Sequence, residues 1–257
     1  MHTLDAAKLV AQEAGRILAA LYEEPHEVTV KGPRDITTEA DLRSEARAAE
    51  ILRALYPHHR IVSEEAYNHF SAEEDVPTWY IDPLDGTTNY ARGYPIFSIS
   101  VAMVERGEVQ CGVVYHPLLK HLFWAERGHG AYLNGRRLRV SERQSLQEAI
   151  VLLDWPRDPA LRERSVRFLS RLVPLTDAVR SGGSAALSFC AIAAGWADIY
   201  YQYTLQPWDV AAGMLIAAEA GATVTDLSGE PAALHKKDWL VTNGLLHREV
   251  LALEPWG

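Results

Sequence analysis

Residues 96–115 hold two β-rich runs, IFSISVAMV and VQCGVVY, divided by ERGE. That pattern reads as an antiparallel hairpin. HLFWA and GAYLNGRRL continue the sheet, with Asn134-Gly135 at a turn. Helical patterns flank this block. Leu4, Ala7, Ala11, Ala14, Leu18 and Leu21 follow helical spacing. A second helix fits from about Thr38 to Tyr56, stopped by Pro57. Between them lie a short strand, VTV, and a polar loop, KGPRD. RIVSEE and TWYID read as short buried strands that end on acids. DPALRERSVRFLSRL opens a helix, with Asp158 as cap and Pro159 in the first turn. SAALSFCAIAAG and WDVAAGMLIAAEAG are two more helices, rich in small residues and each closed by a glycine. Strands and helices mix without strict β-α alternation. The expectation is a layered α+β fold, not a doubly wound parallel sheet.

The 257 residues suit a single domain over 1–257, built as two closely packed lobes with a boundary near 140–150. No apolar run approaches a membrane span. The start, MHTLDAAKLVAQEAG, lacks the basic and apolar regions of a secretory signal. Cys111 and Cys190 read as core residues, and the expected setting is the reducing cytoplasm. The net charge of −9 argues against a nucleic-acid partner. It leaves room for a small phosphate ester held by local amides and metal ions. The histidines form no H-x-x-H pattern, and His58 and His59 read as surface residues, with no zinc site.

The chemistry gathers in acids at element ends. WYIDPLDGTTNY places Asp82 and Asp85 three apart around Pro83; Glu64 and Glu65 end another strand; Asp209 stands in a helix's first turn. Converging carboxylates repel one another and call for cations. Hard oxygen ligands without His or Cys favour Mg²⁺ over zinc. Singly, each acid has a plainer reading: a turn at Asp85-Gly86, a helix-dipole partner at Asp209, a solvated strand end at Glu64-Glu65. After Asp85, GTTN starts a helix whose Gly86 and Thr87 amides suit a phosphate. Metal-binding acids beside an anion-binding turn point to metal-assisted phosphoryl transfer. The D-x-D-G-T signature of phosphatases with an aspartate nucleophile does not fit, because that nucleophile position is Pro83.

The chain resembles the inositol monophosphatase family of Mg²⁺-dependent, lithium-sensitive phosphatases. WYIDPLDGTTNY is similar to its first signature and WDVAAG (208–213) to its second. GPRDITTEAD (32–41), VSEE (62–65), GAYLNGRRLRVS (130–141) and RSGGSAAL (180–187) match other blocks. The resemblance implies a five-layered αβαβα sandwich and a homodimer. It implies hydrolysis of a small polyol or sugar phosphate monoester, inositol monophosphate first, by a metal-activated water. Relatives that act on fructose 1,6-bisphosphate or on nucleotide 3′- or 2′-phosphates, or that serve the transcription machinery as partners, stand as alternatives. It implies two or three Mg²⁺ ions. Glu64, Asp82 and the Leu84 carbonyl would hold the first; Asp82, Asp85 and Asp209 the second. Lys31 would stand near a third site that Glu64 faces, with Glu65 behind the ligands. Thr87 and Glu64 would orient the attacking water, and Asp41 would bond Thr87. Asp41 also has T-x-x-D spacing from Thr38, the mark of a capping box. Asp85, Gly183, Ser184, Ala185 and Gln202 would meet the alcohol part of the substrate. Tight helix packing is an equal explanation for residues 183–185. Gln202 departs from the glutamate of inositol-specific members.

Overall fold

A computed structural model describes residues 1–66 and 76–254. In chain order the elements are α1 (Thr3–Leu21), β1 (Val28–Gly32), β2 (Asp35–Thr38), α2 (Glu39–Leu55), β3 (Arg60–Ser63), β4 (Thr78–Asp85), α3 (Thr87–Ala91), β5 (Ser98–Glu105), β6 (Glu108–His116), β7 (His121–Glu126), β8 (Gly130–Leu133) and β9 (Arg136–Arg137). The second half adds β10 (Ile150–Leu153), α4 (Pro159–Leu172), β11 (Ala178–Ser181), α5 (Ala185–Ala193), β12 (Ile199–Gln202), α6 (Pro207–Glu219), β13 (Thr223–Thr225), β14 (Trp239–Thr242) and α7 (His247–Leu251).

β3 to β9 form a seven-stranded sheet in sequence order, antiparallel except for the β3–β4 pair. A five-stranded sheet runs β11-β10-β12-β14-β13. Core clusters give the layers. α1 and α2 bury Leu4, Val10, Leu18 and Leu52 against Trp79, Ile81, Ile99 and Val113 of the first sheet. Its other face, with Ala102, Val114 and Phe123, packs on Cys190, Ala211, Ala212 and Leu215 of α5 and α6. The same two helices turn Phe189, Ile192, Val210 and Ala217 to Tyr200, Trp239 and Val241 of the second sheet. Beyond that sheet, α4 and α7 add Phe168, Leu172 and Val250. The order is αβαβα, as the resemblance implied.

The middle layer explains the small residues of α5 and α6. A helix buried on two sides has no polar stripe, and close sheet contacts on both sides need thin helices. At Gly112 of β6, an added Cβ would lie 2.7 Å from the Ala212 Cα and 3.0 Å from its carbonyl oxygen. Backbone cannot swing aside there. Gly112→Ala is expected to cost about 1–3 kcal/mol by overpacking, read as a lower urea midpoint at unchanged slope. An unmoved midpoint would contradict this packing.

Cys111 and Cys190 are both buried and free, as core residues should be. The KGPRD segment is a hairpin rather than a loop alone, because β1 and β2 pair across it. His59 is less of a surface residue than expected: it accepts the Trp79 indole N–H at 3.1 Å.

Candidate active site

Residues three apart on a regular strand face opposite ways. Asp82 and Asp85 do not. β4 pairs with β5 at Asp82–Ser100 and again at Asp85–Ser98, three steps against two. The extra residue is a bulge, and it returns both carboxylates to one side. Pro83, with no N–H to donate, suits the interruption. The Ser44 hydroxyl ties the Pro83 carbonyl to α2 at 2.8 Å, and the Leu84 N–H donates to Asp82 Oδ1 at 3.0 Å.

Other elements bring the remaining acids. β3 runs parallel to β4 with Ser63 opposite Ile81, so Glu64 comes next to Asp82. The Glu64 N–H extends that ladder to the Ile81 carbonyl at 3.3 Å. Asp209 lies in the first turn of α6, where its Oδ2 accepts the Gln206 N–H at 2.7 Å. The Trp208 carbonyl accepts the Ser100 hydroxyl at 3.2 Å, docking this helix start on the residue opposite Asp82. α5 aims its N-terminus at Asp85, which accepts the Ser184 hydroxyl at 2.5 Å and the Ala186 and Ala185 N–H groups at 2.8 and 3.1 Å. Ser184, Ala185 and Ala186 therefore form a tight helix start that anchors one of the acids, while the Gly183 N–H turns elsewhere.

Asp41 performs both tasks expected of it. Oδ2 accepts the Thr38 N–H and hydroxyl at 2.8 and 2.6 Å, closing the capping box. Oδ1 takes the Thr87 hydroxyl at 3.0 Å. Gly86 (φ 101°) precedes the short helix α3, and an added Cβ there would meet the Ile96 and Gly183 carbonyl oxygens at 3.0 and 3.2 Å. Lys31 Nζ reaches Glu65 at 2.7 Å and Glu64 at 3.2 Å. Gln202 is buried, and its side-chain oxygen accepts the Tyr203 N–H at 3.0 Å.

The charges are costly to hold together. Burial, then Glu64, Asp85 and Asp209, push the Asp82 carboxyl well up. Burial and Glu64 raise Asp209, with Arg157 pulling the other way. Burial raises Asp85 despite its donors. Glu64 is pushed up to about 7 by burial, against the pull of Lys31. Lys31 itself is raised: burial opposes this, but Glu64, Glu65 and Asp35 outweigh it. Burial lifts Asp41 to about 6. The donor set is all oxygen and strongly anionic, and that chemistry fits a hard divalent cation rather than zinc. Among the described residues no three His, Cys, Asp or Glu side chains close on one point, yet these acids lie near enough to raise one another's carboxyls.

One buried acid carried no sequence signal. Asp154, just past β10, accepts the Gly183 N–H at 2.6 Å and the Tyr200 hydroxyl at 3.3 Å, and burial raises it to about 7. It lies outside every motif, and only the pairing of the second sheet brings it here.

The model for the inositol monophosphatase family matches residues 2–254. Over 252 residues the chain is 37% identical to the fructose-1,6-bisphosphatase/inositol-1-monophosphatase of Thermotoga maritima, covering 98% of this chain and 95% of that protein. Over 229 residues it is 39% identical to the Nus factor SuhB of Vibrio cholerae, covering 88% and 85%. The crystal structure of the extragenic suppressor protein suhB from Bartonella henselae superposes with a TM-score of 0.92 at 33% identity, covering 97% and 96%.

Proposed function

The chain belongs to the inositol monophosphatase family, and from that premise we propose that it is a Mg²⁺-dependent phosphatase of small polyol or sugar phosphate monoesters, inositol monophosphate first among them. The observation that carries this reading is the approach of Glu64, Asp85 and Asp209 to Asp82, from the ends of three elements, β3, β4 and α6, beside the Gly86-Thr87 turn. Glu64, Asp82, Asp85, Asp209 and the Leu84 carbonyl would hold two or three Mg²⁺ ions. When bound, the ions supply Lewis acidity toward the attacking water and charge stabilisation for the leaving oxygen.

The remaining work falls to the chain. Thr87, whose single proton goes to Asp41 Oδ1 or to the Leu84 carbonyl, keeps lone pairs free to orient a water. Glu64 is the second acceptor for that water. The Gly86 and Thr87 amides face the phosphate. Lys31 offsets the charge of Glu64 and Glu65. Gly183, Ser184 and Ala185, whose donors already serve Asp154 and Asp85, would border the alcohol part of the ester rather than donate to it. Li⁺ inhibition, a homodimer and a cytoplasmic setting belong to the same reading. No helix among the described residues is long and apolar enough to cross a membrane.

Gln202 bears on selectivity. Its oxygen is taken up by the Tyr203 N–H, so it offers the substrate mainly donors. A glutamate there would restore a charged acceptor, and such bonds are roughly twice as strong as neutral ones. Gln202→Glu is expected to raise the kcat/KM preference for inositol 1-phosphate over other sugar phosphates several-fold. An unchanged ratio would reject the role.

The V. cholerae relative is named a Nus factor, so a protein partner in transcription is the second reading. A panel of phosphate esters assayed with Mg²⁺ separates the two. Turnover of polyol monophosphates supports the enzyme; no turnover of any ester by folded protein favours the partner role.

A further inference from the structure

Strands β11, β10 and β12 run parallel, and their C-terminal ends finish level. Leu153 stands opposite Ser181 on one side and Tyr201 on the other. The next residues, Gly182, Asp154 and Gln202, therefore stand side by side at the edge. The edge beyond the carboxyl ends of parallel strands is where α/β sheets hold ligands. Asp154 occupies its centre.

Its surroundings mark it as more than a tether. Asp154 is 8% exposed, yet close enough to Asp85 that the second charge lifts its carboxyl further. The donors placed around it include Gly183, Tyr200 and Ser188. A carboxylate offers about four lone-pair positions, so acceptor capacity remains. Gly183 (φ 77°) leads into the turn whose Ser184 and Ala185 hold Asp85. The Asn89 amide fixes the other side of that turn through the Gly182 carbonyl at 2.8 Å. Arg157 on the same loop is paired with Asp35 at 3.0 Å. The end of the second sheet nearest Asp85 thus presents an acid, a neutral amide and a glycine turn.

Resting on the phosphatase reading above, we propose that Asp154 is a specificity-determining residue: beside the Gln202 amide, which donates, it accepts the hydroxyls of an uncharged polyol and turns away an alcohol that carries a second phosphate. A negative group at the strand edge bonds hydroxyl donors and repels phosphate. Neither effect acts on an aryl leaving group that has no hydroxyl.

The test compares wild type and Asp154→Asn on inositol 1-phosphate, fructose 1,6-bisphosphate and p-nitrophenyl phosphate, at a pH where the carboxyl is ionised. Asparagine keeps an acceptor for the Gly183 N–H and removes the charge. The expected result is a loss of about tenfold in kcat/KM on inositol 1-phosphate, the scale of one charge-assisted hydrogen bond. The aryl ester should stay within about twofold and the bisphosphate should hold or rise. Asp154→Ser, a smaller neutral residue, should move the ratios the same way and keeps the test open if the asparagine variant does not fold. Equal losses on all three esters would mean a structural tether only and would overturn the proposal, as would unmoved ratios. Wild type that hydrolyses none of the three would overturn the phosphatase reading and this proposal with it. Active wild type with unmoved ratios removes this proposal alone.

Discussion

Asp85→Asn is expected to lower kcat by roughly a thousandfold or more, the scale of losing one strong electrostatic contact in a catalytic site. Two losses coincide. The second metal position loses a charged ligand. The α5 N-terminus loses the carboxylate that now accepts from Ser184, Ala185 and Ala186. The asparagine amide would point donors at donors. Folding should suffer far less. An acid whose carboxyl is raised in the folded chain is destabilising when ionised, so stability from this group falls as pH rises past the ordinary aspartate range. Removing the charge at neutral pH also relieves Asp82 and Asp209. The checks are steady-state kinetics and thermal melts with and without Mg²⁺. Wild type should gain melting temperature on adding Mg²⁺ by mass action, and the variant much less. Near-normal turnover of the variant in saturating Mg²⁺ would contradict the ligand assignment.

Thr87→Ala is expected to lower kcat by about a hundredfold or more, the range for a group that aligns a proton transfer, with little change in KM. Thr87 Oγ1 lies 3.0 Å from both Asp41 Oδ1 and the Leu84 carbonyl. Its single proton goes to one of them, and its lone pairs are what a water can use. The capping box of α2 does not depend on it, because Thr38 bonds the other oxygen of Asp41. The fold should therefore hold, and Thr87→Ser should recover most of the rate. A serine variant as slow as the alanine variant, or an alanine variant that unfolds, would contradict this division of labour.

Local chemistry made much of this readable in advance. Asp158 and Pro159 start α4, and the Asp158 carboxylate accepts the Leu161 N–H at 3.0 Å. Asn134 and Gly135, both at positive φ, turn β8 into β9. The paired acids around Pro83 announced a site. The second sheet was not readable. IVLL, IYYQ and WLVT are four-residue strands, buried or nearly so, and a short apolar run has no periodicity to separate strand from helix. Their pairing joins residues far apart in sequence. Asp154 was lost with them. Asp41 shows the same division within one side chain: its bond to Thr38 spans three residues and was visible as spacing, whereas its bond to Thr87 spans 46. The bulge that turns Asp82 and Asp85 to one side depends on pairing with β5, which spacing along β4 does not encode.

On the proposed phosphatase reading, the buried acids hold the metal on which phosphate release depends. The most direct measurement is phosphate release from inositol 1-phosphate by the purified chain, first stripped with a chelator and then titrated with Mg²⁺. The expected result is no activity after stripping and a saturable return with Mg²⁺, abolished in Asp82→Asn and Asp209→Asn. Full activity in the chelator, or release unaffected by both substitutions, would contradict it.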